Sequence, residues 1–237
     1  MLKLVLWVVC FAMGSAAFAV PPNGVVKVEA EWTMSLDANG AITALEAKPG
    51  RIKEVLRKVL ETAVRGWKFE PGSINGTPAA TETNLIVSIS LWPMPGGESY
   101  SVKVESVQTG SGVAKFGRMP SFSQAQAERA RRDKINPMVI LELTFDENGK
   151  PGEVFVADRS PVIEGPLVKQ AIKAVRTWTF KPERVAGHGV PGRALIPICY
   201  VASGSDCTYP ESKNGAPFEP GSSIALESRV TLKSDVI

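Results

Sequence analysis

A pattern written twice constrains this chain more than any other feature. Leu36-Asp37-Ala38-Asn39-Gly40 precedes Ala63-Val64-Arg65-Gly66-Trp67-Lys68-Phe69-Glu70-Pro71. Phe145-Asp146-Glu147-Asn148-Gly149 precedes Ala174-Val175-Arg176-Thr177-Trp178-Thr179-Phe180-Lys181-Pro182 in the same way. The turn motifs lie 109 residues apart and the Trp-x-Phe-x-Pro motifs 111, so the second copy carries two extra residues between them. The chain therefore reads as a tandem duplication of one module.

Each copy has a physical reading. Val26, Val28, Ala30 and Trp32, then Met34 and Leu36, alternate with mostly polar residues, which predicts a half-buried strand. Asp37-Ala38-Asn39-Gly40 supplies the side-chain acceptor and positive-φ glycine of a tight hairpin, and a second strand is expected near residues 42–47. Ile52, Val55, Leu56, Val59, Leu60, Ala63 and Val64 recur at helical spacing over residues 51–65. Trp67 and Phe69 leave in extended conformation, Pro71 stops the segment and Asn75-Gly76 turns it. Leu85, Val87, Ile89 and Leu91 alternate in a third strand. The second copy repeats this with strands near 138–145, 154–158 and 194–201, Ser160-Pro161 serving as helix cap and first-turn proline.

The fold class that follows is α+β: two tandem β-β-α-β modules, each a small antiparallel sheet with one helix on a face. The helix returns the chain to its starting end, so strand three pairs with strand one in the order 2-1-3. Strand three is then an open edge unless residues 102–107 or 226–232, which also alternate, cover it.

The N-terminus has the layout of a secretory signal: Lys3, an uncharged run over residues 4–20, then Ala17-Phe18-Ala19 before Pro21-Pro22. The expected organisation is a signal peptide at 1–19, a first domain at 20–98 and a linker or extra strand at 99–118. A second domain at 119–207 and a tail at 208–237, able to supply another strand, complete it. The alternative is an uncleaved anchor through residues 4–20, at the lower limit of length for a bilayer span. Export makes the periplasm the expected compartment. Cleavage removes Cys10 and leaves Cys199 and Cys207, which in an oxidising compartment read as a disulfide across a short loop. Two unlinked thiols are the alternative.

These motifs resemble the C-terminal domain of TonB-type energy transducers: an Asp-x-x-Gly hairpin, then an amphipathic helix ending in Val-Arg-x-Trp-x-Phe-x-Pro, a glycine-containing turn and a closing strand. The resemblance implies a periplasmic protein-interaction module. Its closing strand would accept an extended peptide of an outer-membrane transporter or envelope protein by strand addition. Carried over, the peptide-binding candidates are Asn84, Ile86, Ser88 and Ser90 in the first copy and Leu195, Ile196 and Ile198 in the second. The alternative is a structural or self-associating envelope protein, a homodimer included, with its sheet edges covered internally. A long proline-rich spacer is missing between Pro21-Pro22 and the first strand, so a soluble relative is expected rather than a transducer.

Chemistry is sparse. The 27 basic and 24 acidic residues nearly cancel, which argues against a nucleic-acid binder. The single histidine, His188, lies in a turn equivalent to Asn75-Gly76-Thr77 and is read as a turn residue rather than a base. Asp37 and Asp146 are read as hairpin residues rather than an acid/base pair, and Trp67 and Trp178 as core rather than ligand platforms. Residues 124–134, rich in arginine, read as a solvated helix or linker rather than a lipid or wall-polymer contact. No catalytic residue, metal site or cofactor is expected, nor membrane insertion once the leader is removed.

Overall fold

A computed structural model describes residues 25–48, 52–94, 100–133, 136–158, 160–162, 164–201 and 224–233. The leader and Cys207, and with them the expected Cys199–Cys207 bridge, lie outside the described residues.

The first half runs β1 (Val26–Leu36), β2 (Ile42–Ala47), α1 (Glu54–Arg65), β3 (Phe69–Glu70), the hairpin β4 (Ser73–Ile74) and β5 (Thr77–Pro78), and β6 (Thr81–Pro93). Then come β7 (Tyr100–Gly110), β8 (Gly112–Lys115) and α2 (Gln124–Asp133). The second half runs β9 (Met138–Phe145), β10 (Pro151–Val156), α3 (Pro166–Val175), β11 (Thr179–Lys181), the hairpin β12 (Arg184–Val185) and β13 (His188–Gly189), and β14 (Gly192–Cys199). Two short strands, β15 (Ile224–Ala225) and β16 (Thr231–Leu232), follow.

The two main antiparallel sheets share one strand order: β2-β1-β6 with β7 on the far side of β6, and β10-β9-β14-β15. In the first, Trp32, Met34, Leu36, Leu85, Val87 and Ile89 form a core with Leu60 and Val64 of α1. In the second, Val139, Leu141, Leu143, Ile196 and Ile198 do the same with Val168, Ala171 and Val175 of α3.

Two helix starts differ from the periodicity. α1 begins at Glu54 behind extended Lys53, because Ile52 is spent in the core ahead of the helix. α3 begins at Pro166 rather than beside Ser160. The Ser160 hydroxyl is buried elsewhere: it accepts from Ile140 N–H (2.9 Å) and donates to Val162 O (2.7 Å), so it closes a loop onto β9 and caps nothing.

The structure explains why the paired motifs travel together. Asp37 Oδ1 accepts from Asn39 and Ala41 N–H, and Asp146 Oδ1 from Asn148 and Lys150 N–H. The tip glycines, Gly40 (φ 79°) and Gly149 (φ 80°), lie directly on the carbonyls of Phe69 and Phe180, where a β-carbon would collide with main chain. The Asp-x-x-Gly tip thus seats on the Trp-x-Phe exit in both halves. Gly40→Ala and Gly149→Ala should each cost about 2–4 kcal/mol, from positive-φ strain plus the backbone clash; urea unfolding midpoints check this. Ala186 (φ 48°) and Gly187 (φ 81°) form the same positive-φ turn as Asn75 (φ 51°) and Gly76 (φ 80°), and His188 stands exposed beside it.

The halves are not cleanly separable repeats. β12 of the second pairs with β6 of the first through Val185↔Thr81 and Arg184↔Glu82. β8 pairs with β11, and β16 returns to pair with β3. Val230 enters the first core. At the junction Glu183, only 2% exposed, accepts from Thr83 Oγ1 (2.7 Å), Ser228 Oγ (3.0 Å) and Arg229 N–H (2.6 Å).

Candidate docking edges

Main-chain direction decides which strand edges can take a partner, and it follows from a few hydrogen bonds. Residues of an antiparallel strand alternate in the side to which they aim both N–H and C=O. Lys48 N–H donates to Glu31 O, so odd-numbered residues of β1 face β2 and even-numbered ones face β6. Trp32 pairs with Leu85 and Ala30 with Val87, so the odd residues of β6 face β1. Asn84, Ile86, Ser88 and Ser90 therefore aim their main chain at the outer side, as a strand-addition edge requires.

That side is filled by the chain itself. β7 pairs with β6 from Asn84↔Gly110 to Pro93↔Tyr100, with a bulge at Ser88/Ile89. Residues 102–107 are thus the covering strand. The side chains of the four candidates lie away from α1: Asn84, Ser88 and Ser90 are buried, and Ser88 Oγ donates to Glu29 Oε1 (2.8 Å). The new outer strand, β7, is blunted by the bulge and by charge. On it the Lys103 ammonium, 2.6 Å from Glu105, holds that carboxyl below its usual range.

The second sheet differs. Tyr200 N–H donates to Pro137 O and Leu226 N–H to Arg193 O, so even residues of β14 face β9 and odd ones face outward. Ile196 and Ile198 consequently spend their main chain on β9 and their side chains on the α3 core. Leu195 faces outward but is paired with Ile224, and its side chain is buried with Met138, Ile140 and Ala157. Beyond Leu195, no described strand pairs with that side of β14. Pro197 falls there, where its missing N–H costs the β9 ladder nothing.

β15 is held in place by Arg193, whose guanidinium contacts Glu142 of β9 and reaches Glu227 at 3.3 Å. Just past β14, the Tyr200 hydroxyl donates to Leu167 O (2.7 Å) at the start of α3, and its ring packs on Phe122. Burial pushes the Tyr200 phenol up from 10.0 to about 12. The sign is that of a raised pKa: this contribution is intact below pH 10 and is lost as pH rises through about 12. Stability should therefore fall across that window, and Tyr200→Phe should flatten the decline; chemical denaturation at stepped pH checks it.

The Asp37, Asp146, Trp67 and Trp178 side chains sit as turn and core residues, the tryptophans 6% and 3% exposed. α2 buries Ala130, half-buries Gln126 and Ala127 and exposes the rest, with Arg129 and Arg132 beside Asp133. Glu183 escaped the sequence reading. Its signal was a mismatch between the copies: Pro71-Gly72 corresponds to Pro182-Glu183, and a charge replaces a glycine where the chain enters the junction.

The described residues form an α+β fold in which no group of three or more metal-ligating side chains occurs. Residues 127–202, from within α2 to just past β14, match the family model described as the Gram-negative bacterial TonB protein C-terminal. That stretch is about a third of the chain, and it is similar to a family of non-catalytic adaptor modules that mediate protein contacts. No curated protein and no solved structure matches the chain. Among the described residues no helix is long and apolar enough to cross a membrane.

Proposed function

We infer that this chain is a periplasmic adaptor that binds an extended segment of an outer-membrane transporter or envelope protein by strand addition at β14. One observation carries the reading. Among the described residues, the outer side of β6 is paired by β7 from Asn84 to Pro93, whereas that of β14 is paired by β15 at Ala194 and Leu195. The first half is a module whose guest strand is built in; the second half, which matches the family model, keeps the docking edge. The guest would pair beyond Leu195, starting at Pro197 C=O, extending or displacing β15. Duplication of one module, export with loss of the leader, and a Cys199–Cys207 bridge bracing the end of β14 belong to the same reading.

The test is a titration of the isotope-labelled protein with an extended transporter-derived peptide. Amide shifts should move along residues 195–200 and stay still along 84–91. Shifts at neither strand would sink the reading. They would favour the second one, a structural or self-associating envelope protein with its edges covered internally, for which the β6–β7 pairing is the supporting observation. In that case sedimentation should reveal a homodimer or larger assembly.

A further inference from the structure

Residues 106–127 and 165–182 are two of the stretches of this chain that contain no acidic residue. Residues 106–127 carry Lys115 and Arg118, and residues 165–182 carry Lys169, Lys173, Arg176 and Lys181. The fold brings them together. Lys115 pairs across from Thr179, Arg118 N–H donates to Thr177 Oγ1 (2.8 Å), and Trp178 Nε1–H donates to Arg118 O (3.0 Å). Phe116 packs edge-on against Trp178 with ring centroids 4.8 Å apart.

α3 turns Val168, Ala171 and Val175 to the core, which leaves Lys169, Lys173 and Arg176 exposed at i, i+4 and i+7. The corresponding helix of the first half is neutralised along its own surface: Glu54 contacts Arg57 and Lys58, and Glu61 meets Arg65 at 2.8 Å. α3 has no such partner. Lys115, Arg118, Lys169, Lys173 and Arg176 make no ion pair among the described residues, while Lys181 is turned away onto Glu82 (2.9 Å). Glu128 and Glu164 bound the two stretches in sequence without entering them. Beside these cations two large apolar side chains stand in solvent, Phe116 at 44% and Met119 at 59% exposure.

We propose that the outer face of α3 and the 115–119 segment form a docking surface for a bilayer containing anionic phospholipid. The five cations lie on the headgroups and Phe116 and Met119 enter the acyl boundary. Unneutralised cations attract any polyanion, but protruding apolar side chains among them gain free energy only where an apolar layer lies beneath the charge. A soluble acidic polymer has no such layer. The surface uses side chains of α3 and residues 115–119 and not the main chain of β14, so its failure would leave the strand-addition reading untouched.

The test is vesicle co-sedimentation of the full chain, with phosphatidylglycerol and phosphatidylcholine in equal parts against phosphatidylcholine alone. The difference between wild type and variant on the anionic vesicles is the readout, since the N-terminal segment with Lys3 is common to both. Wild type should partition to the anionic vesicles in a salt-sensitive way. Lys169→Glu/Lys173→Glu/Arg176→Glu should lower that partition on the order of a hundredfold. Met119→Ser, at a site with little packing to lose, should lower it several-fold with the fold intact by circular dichroism. Equal binding to both vesicles, or no loss in the triple variant, overturns the proposal. Binding to soluble polyglutamate as tight as to vesicles, with Met119→Ser unchanged, also overturns it, in favour of an acidic polymer.

Discussion

Glu183→Ala should lower the free energy of unfolding by about 2–4 kcal/mol, because it takes the shared acceptor from a cluster of buried and part-buried neutral donors. Three donors converge on this carboxylate: the Thr83 hydroxyl from β6, the Ser228 hydroxyl and the Arg229 amide. Alanine leaves all three facing a cavity. Glu183→Gln keeps the shape but sets an amide N–H₂ against a ring of donors, so it should recover only part of the loss. Urea denaturation measures both, and hydrogen exchange adds a spatial check. Protection should fall at Thr83 and over residues 228–232 together, since one group holds both. A change within about 0.5 kcal/mol, the scatter of an ordinary surface substitution, would mean the network contributes no net stability.

Trp178→Ala should be comparably severe, about 3–5 kcal/mol for an aromatic removed from a packed core. The indole is 3% exposed, and its loss opens a void beside Phe180 and Val175. It also orphans Arg118 O and removes the ring on which Phe116 rests. Trp178→Phe separates these effects. Most of the packing returns while the hydrogen bond to Arg118 stays absent, so stability should recover further than the order of residues 115–119. Denaturation curves and amide exchange across that segment distinguish the two.

Much of the fold was legible because it depends on local signals that occur twice. Alternation at Trp32, Met34 and Leu36 and the i, i+4 stripe of Leu60 and Val64 name the faces that become the first core. Asp37 and Asp146 announce hairpin tips by side-chain chemistry alone. The candidate edge was half legible. The outward main chain of Asn84, Ile86, Ser88 and Ser90 follows from strand order, and the alternation of residues 102–107 marks a strand able to cover it, but alternation does not say to which edge that strand returns. Ile196 and Ile198 were misplaced by parity, which one main-chain hydrogen bond fixes and composition does not. The stretch 226–232 alternates like one strand but is divided between duties. Val230 goes to the first core and Thr231–Leu232 to β3, because the segment bridges two sheets rather than extending one.

That bridging has a consequence for the order of assembly. The Thr109 hydroxyl closes on Val230 O across 121 residues of sequence, and among the described residues β3 pairs with β16. Contacts so distant along the chain are made late and slow the search for the native state. The first half, although synthesised first, keeps an unfilled place in its core until residues 224–233 are present.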